Sequence, residues 1–336
     1  MRLGSLITLL KSNNASYGAR PSKDAPGIRQ AEDDRTMPTR RAILAGGLGC
    51  LALARPALSL PALSRPMVRV PIEVTQTGLA IISADIDGHR LRFVIDTGAE
   101  TSAIRRDLVA SLGLKRVGRR RDSGADGGLI VTDYEAKKVV FGGAVHVAEM
   151  ALAAIPGLTA FDGLLAAGFL TAYPSELDYG AREIRIHPGA AMDLGGYSPI
   201  EARVVRRDPS LSPRFYCPFS IDGLSLSAML DTGFETEVFL NAGLVGRHGL
   251  WDRFPIRGEK VFRGIAGKRL VTRVVEMPNF RLGAIERRSV LVTLADPVTR
   301  GIPAIGRDDG VIGASLLKRF SIAFDGAGGL GFKPNV

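Results

Sequence analysis

Short β-like runs broken by tight-turn residues dominate the chain downstream of residue 66. Val68–Val74 and Leu79–Asp87 are two such runs, and Asp87-Gly88 is a strong hairpin signal. Leu91–Ile95 then returns as a strand and ends at Asp96. The same pattern recurs further on: Phe215–Ile221, the turn Asp222-Gly223, then Leu224–Leu230 ending at Asp231. Thr101–Leu112 spaces its apolar residues as a helix does and stops at Gly113, which predicts a short helix; Ser315–Phe320 predicts another. Gly189–Pro199 is rich in Gly and Ala with little pattern and reads as a linker. The 40 glycines and 19 prolines of this 336-residue chain argue against a helical bundle and for many tight turns, hence an all-β class.

The recurrence is an internal repeat. Residues 87–98 read Asp-Gly-His-Arg-Leu-Arg-Phe-Val-Ile-Asp-Thr-Gly, and residues 222–233 read Asp-Gly-Leu-Ser-Leu-Ser-Ala-Met-Leu-Asp-Thr-Gly, an offset of 135. Each copy continues through a glutamate and a threonine, Ala99-Glu100-Thr101 and Phe234-Glu235-Thr236. Phe161-Asp162-Gly163-Leu164-Leu165-Ala166 then corresponds to Asp308-Asp309-Gly310-Val311-Ile312-Gly313 at an offset of 147. A third pair, Leu177-Asp178-Tyr179-Gly180 and Phe324-Asp325-Gly326, closes each half. Three landmarks in one order imply two similar lobes: residues 66–189, a linker at 190–199, and residues 200–336, behind an N-terminal extension of residues 1–64.

An aspartate at the end of an apolar strand is costly. Val94-Ile95 and Met229-Leu230 predict strands buried on both faces, each delivering a carboxylate to a poorly hydrated place. An isolated buried carboxylate protonates to escape the desolvation penalty. Two of them brought together by a pseudo-twofold share one proton, so that one is a base and the other an acid, and a water held between them is activated for attack on an amide carbonyl. Gly98 and Gly233 are expected to let the backbone turn sharply and to bring N–H groups to the carboxylates. Thr97 and Thr232 offer hydroxyls that bond across the lobe boundary and fix the carboxylate planes.

The duplicated Asp-Thr-Gly, each followed by a later apolar-apolar-Gly or Ala, resembles the retropepsin/pepsin class of aspartic proteases, in the single-chain form of bacterial exported aspartyl proteases. The resemblance covers roughly Pro66 to Pro334. It implies a two-lobed, fused retropepsin-like acid-protease fold, with Asp96 and Asp231 as catalytic dyad and Thr97 and Thr232 as the grip between lobes. It also implies glycine-rich flaps over the substrate, for which the clusters at Gly124, Gly127, Gly128 and at Gly264, Gly267 are the candidates. Two flaps are retropepsin-like, and Tyr134 is too far from the first cluster to be the tip aromatic of the pepsin branch. The chain departs from the pattern at two places. Ala166 stands where Gly313 keeps the glycine, and its methyl is expected to crowd the backbone beneath Asp96. Phe234 stands where the first half has Ala99, which makes the two sides of the cleft unequal. The implied activity is endopeptidase cleavage of peptide or protein substrates by a monomer without cofactor. The alternatives are a non-catalytic peptide-binding module on the same fold and an envelope scaffold.

Residues 38–54 join the pair Arg40-Arg41 to a modest apolar run and small residues, which reads as an export signal of twin-arginine type leading to the periplasm, with Met37 a candidate start. The net charge of +10 falls to a mild excess of +5 if cleavage follows Ser64, because nine Lys/Arg and four Asp/Glu leave with the signal. That excess is not a nucleic-acid signature, and Arg119-Arg120-Arg121, just before the first flap, reads as a solvated loop. Cys50 lies inside the signal and Cys217 in an apolar strand, where it is a small core residue. His89, His146, His187 and His248 have no metal-ligand spacing. No apolar run long enough for a second membrane span follows the signal.

Overall fold

The computed structural model describes Thr8–Leu9 and residues 66–124, 127–156, 158, 160–189, 192–263, 269–298 and 309–335. The described residues all lie within one unit of the chain, made of Met1–Asn13 and Leu63–Val336.

Both Asp-Gly signals become two-residue hairpin turns. Asp87 and Gly88 take φ of 51° and 84°, and Asp222 and Gly223 take 50° and 78°, the left-handed pair that the right-handed strand twist requires. The turns set the register: Ile86 faces His89 across Ala80–Ile86 and His89–Asp96, and Ile221 faces Leu224 across Arg214–Ile221 and Leu224–Asp231. Each hairpin anchors a sheet. In the first lobe the order is Val145–Ile155, Ala103–Arg105, Gly163–Ala166, His89–Asp96, Ala80–Ile86, Gly127–Phe141, Lys115–Gly124, and pairing of Gly127–Phe141 with Val145–Ile155 curls the sheet back on itself. Thr8–Leu9 pairs in parallel at its outer edge. The second lobe repeats the plan as Arg203–Val205, Arg214–Ile221, Leu224–Asp231, Gly310–Gly313, Val238–Leu240, Ile285–Ala295, Arg269–Leu282, Ile256–Arg263.

A third sheet joins the lobes. Its order is Ser198–Ile200, Leu330–Pro334, Phe320–Phe324, Ser175–Asp178, Glu183–Ile186, Val68–Pro71, so three strands come from each half. Phe320–Phe324 and Ser175–Asp178 pair antiparallel at the centre, Phe324 opposite Ser175 and Ser321 opposite Asp178. One apolar cluster runs through both lobes and this sheet, with edge-on ring pairs Phe93–Phe141 at 6.1 Å and Phe215–Phe324 at 5.5 Å. The stretch read as linker ends inside the sheet, since Ser198–Ile200 pairs with Leu330–Phe332.

Local expectations fail where tertiary pairing outweighs spacing. Thr101–Leu112 is not one helix: Ala103–Arg105 is a buried strand between Gly163–Ala166 and Val145–Ile155, and only Leu108–Ser111 is helical. Ser315–Phe320 shifts forward to a helix at Ala314–Leu317, while Phe320 opens a strand. Val68–Val74 splits between sheets, Val68–Pro71 joining the shared sheet and Glu73–Val74 pairing with Ala80–Ile81. Among the described residues no helix is long and apolar enough to cross a membrane.

Candidate active site

Asp96 and Asp231 end the two central strands, and each strand is buried to its last apolar residue: Val94, Ile95, Met229 and Leu230 are at most 5% exposed. A parallel neighbour supports each aspartate, Ala166 beside Asp96 and Gly313 beside Asp231. The strand ends meet across the lobe boundary through the two threonines, both fully buried. Thr97 Oγ1 donates to the Leu230 carbonyl at 2.8 Å and accepts from Thr232 N–H at 3.1 Å. Thr232 Oγ1 donates to the Ile95 carbonyl at 2.6 Å and accepts from Thr97 N–H at 3.1 Å. Each hydroxyl therefore satisfies one carbonyl and one N–H left over where a strand ends.

The glycines act by size. The backbone turns directly after each aspartate, and neither Gly98 nor Gly233 needs a positive φ to do so. A Cβ on Gly98 would lie 2.4 Å from Asp231 Oδ2, and one on Gly233 would lie 2.6 Å from Asp96 Cγ. Each glycine leaves the space that the opposite carboxyl fills, so the two triplets interlock. Asp96 Oδ1 accepts from Gly98 N–H and Ala99 N–H, both at 2.9 Å, and Asp231 Oδ1 accepts from Gly233 N–H at 2.8 Å.

The two carboxyls lie close enough for each to influence the ionisation of the other. Both aspartates keep some solvent contact, yet protein surrounds the carboxyls closely enough that desolvation is the largest influence on each. Burial raises Asp96 above the usual carboxyl range, opposed by the neighbouring Asp231 carboxyl, the N–H groups of Ala99 and Gly98, and the charge of Arg214. Asp231 is raised well above that range by burial and then by the Asp96 charge, opposed by Gly233 N–H and Arg214. Two like charges this close cannot both ionise cheaply.

Ala166 is accommodated by a local change of partner. In the second lobe the backbone N–H groups of Gly313, Ala314 and Ser315 bond the carbonyls of Glu237, Phe234 and Thr236 at 2.8–3.1 Å, and a Cβ on Gly313 would lie 2.4 Å from two of those oxygens. In the first lobe Ala166 N–H bonds the Ser102 hydroxyl at 3.1 Å and Gly168 N–H bonds the Ser212 hydroxyl at 3.0 Å. Side-chain oxygens replace carbonyls there, and Ala166 is 1% exposed.

Gly124, Gly127 and Gly128 lie at the tip of the hairpin Lys115–Gly124 and Gly127–Phe141, Ser123 facing Gly128 and Gly124 facing Gly127. Gly264 and Gly267 lie outside the described residues, at the end of the matching hairpin Ile256–Arg263 and Arg269–Leu282. Arg119 and Arg121 are exposed on the first arm, whereas Arg120 bonds Asp133 at 3.1 Å and Thr101 at 2.9 Å, so the basic run is a strand. Phe234 stacks on Phe262 of the second arm at 5.1 Å and meets Phe239 edge-on at 5.5 Å. Cys217 is fully buried, and burial pushes its thiol up to about 12, away from nucleophilic use.

Sequence reading missed the charged cluster beside the first triplet. Glu100, 8% exposed, receives Arg207 Nε at 2.6 Å with a second bond from the same guanidinium, and Arg214 at 3.1 Å. Arg214 Nε also donates to the Gly98 carbonyl at 2.8 Å. Glu235, the counterpart of Glu100, receives the Thr77 hydroxyl at 2.5 Å. Aligning the repeats further upstream would have found the difference, because Arg214 falls opposite Leu79.

Two curled β-lobes, a shared six-stranded sheet and interlocked Asp-Thr-Gly turns at the boundary define a two-lobed acid-protease fold. Residues 82–169 match the family model described as aspartyl protease, a stretch that holds Asp96, the strands Lys115–Gly124 and Gly127–Phe141, and Ala166; the second lobe repeats the strand order of the first. No curated protein matches the chain.

Proposed function

We propose that the protein is an aspartic endopeptidase with Asp96 and Asp231 as its catalytic dyad. The observation that carries the reading is the interlock of the two Asp-Thr-Gly turns, which brings Gly98 against the Asp231 carboxyl and Gly233 against the Asp96 carboxyl. In this reading a water lies between the carboxyls and the substrate amide. The ionised aspartate takes the water's proton as oxygen attacks the carbonyl carbon. The protonated aspartate gives its proton to the carbonyl oxygen, and the departing amine recovers a proton as the C–N bond breaks. Thr97 and Thr232 hold the carboxyl planes, and Gly98 and Gly233 admit them. The glycine-tipped hairpin at Gly124, Gly127 and Gly128 covers the peptide and excludes water.

The test is incubation of the purified chain with a mixed peptide library across pH, with and without a statine-type inhibitor. Cleavage with a bell-shaped profile, abolished by the inhibitor, supports the reading; peptide binding without cleavage replaces it with a binding module. We further propose periplasmic export directed by Arg40-Arg41. Lys in place of both should stop export, and unchanged export rejects the twin-arginine route.

A further inference from the structure

The two halves of the dyad have unequal surroundings, and one of the differences is a single cation. Under the 135-residue offset that relates the Asp-Thr-Gly turns, Arg214 corresponds to Leu79. Leu79 is buried against Ile81, Val94 and Ala314 and has no donor to offer the second turn. Arg214 reaches across the lobe boundary, and four-fifths of its side chain is buried. Its Nε–H donates to the Gly98 carbonyl at 2.8 Å. That carbonyl and the Ala99 N–H belong to the same peptide unit, and the Ala99 N–H donates to Asp96 Oδ1 at 2.9 Å. A cation bonded to the oxygen of a peptide polarises it and strengthens the bond made by its N–H. The relay ends on Asp96 alone.

We propose that Arg214 is a positioning residue for the dyad: through the Gly98–Ala99 peptide it holds the negative charge on Asp96 and leaves the shared proton on Asp231. The inference rests on the endopeptidase reading for its kinetic readout only. The other charged or titratable groups nearby are consistent with this division. Glu100 takes an ion pair from Arg214 and two bonds from Arg207, whose side chain is half exposed and so is screened by water. Tyr179 is buried and held neutral, its hydroxyl raised chiefly by burial. Arg214 draws both carboxyls downward against burial, and Asp231 remains the one held well above its ordinary value.

Three variants separate the relay from simple structural support. Arg214→Leu reproduces the residue of the other half, Arg214→Lys keeps the charge without the Nε–H, and Arg207→Leu removes an ion pair on Glu100 while leaving the Gly98 bond. The readouts are the pH profile of peptide cleavage and a titration of the full chain carrying ¹³C-labelled aspartate carboxyls. Asp96→Asn and Asp231→Asn assign the resonances. A cation favours the singly ionised dyad, so its loss makes the first proton harder to remove. Both limbs of the profile should move to higher pH in Arg214→Leu, the acid limb by about one unit, the low end of what a neighbouring charge produces. Arg214→Lys should move less, and Arg207→Leu should leave the limbs in place. The resonance ionising first should belong to Asp96 in the parent. Lowered turnover with unmoved limbs, or first ionisation at Asp231, overturns the proposal. If Arg214→Leu does not fold, Arg214→Lys and the parent titration still decide it. If no peptide is cleaved, the endopeptidase reading fails while the carboxyl titration still tests the relay.

Discussion

Replacing Thr232 with valine tests the interlock at the lobe boundary. Valine keeps the side-chain volume, so no cavity term enters. The hydroxyl's two partners lose their bonds: the Ile95 carbonyl, reached at 2.6 Å, and the Thr97 N–H, reached at 3.1 Å. Both lie where the structure is fully buried around Thr97 and Thr232, so water cannot replace the lost partner. An orphaned buried polar group costs about 1–3 kcal/mol, and two cost about 2–6 kcal/mol. Even the lower end lowers the melting temperature by about 4–8 °C, using the 2–4 °C per kcal/mol typical of larger domains. Urea unfolding at fixed pH, checked by calorimetry, measures the loss. Thr97→Val orphans the Leu230 carbonyl and the Thr232 N–H, so the pseudo-twofold requires a similar cost. A loss below about 0.5 kcal/mol in either variant, the size of an ordinary surface change, refutes the reasoning.

Asp96→Asn and Asp231→Asn should each abolish cleavage and stabilise the fold near neutral pH. Both carboxyls are raised in the folded chain, so the pair's contribution to stability is present below the ordinary carboxyl value of 3.8 and is lost as pH rises through the higher folded values. Urea midpoints taken from pH 4 to 8 should fall less steeply in the variants; an unchanged slope contradicts the shift. Gly98→Ala should eliminate activity by forcing the carboxyls apart, since its Cβ would meet Asp231 Oδ2 at 2.4 Å, and a fully active variant would disprove the interlock. Arg185→Met on the shared sheet strips Glu176, Asp178 and Glu183 of a common cation at 2.5–2.7 Å, and should cost about 1–3 kcal/mol in thermal unfolding. Burial raises Asp178, but Ala181 N–H, the Ser321 hydroxyl and Arg185 hold it below its ordinary value, so that part of the loss should fade as pH drops below 3.8.

Much of the architecture was legible along the chain because its signals are local. Asp-Gly between apolar runs dictates a two-residue hairpin by backbone twist alone, and the repeat places two such hairpins in equivalent positions, each ending on an aspartate. The buried runs Val94-Ile95 and Met229-Leu230 likewise announce where the carboxylates emerge. What needed the tertiary structure is long-range. Ala103–Arg105 is a strand because Gly163–Ala166 and Val145–Ile155 offer it hydrogen bonds on both sides, a gain that outweighs helical spacing. Gly98 and Gly233 are required by carboxyls 133 and 137 residues away in sequence, so no local conformational rule could supply the reason. Ser102 and Ser212 relieve Ala166 from other segments, and Arg214 crosses the lobe boundary to reach Gly98 and Glu100. Turns and strands follow from neighbouring residues. The inequality of two matching aspartates follows from which distant side chain folding brings beside each one.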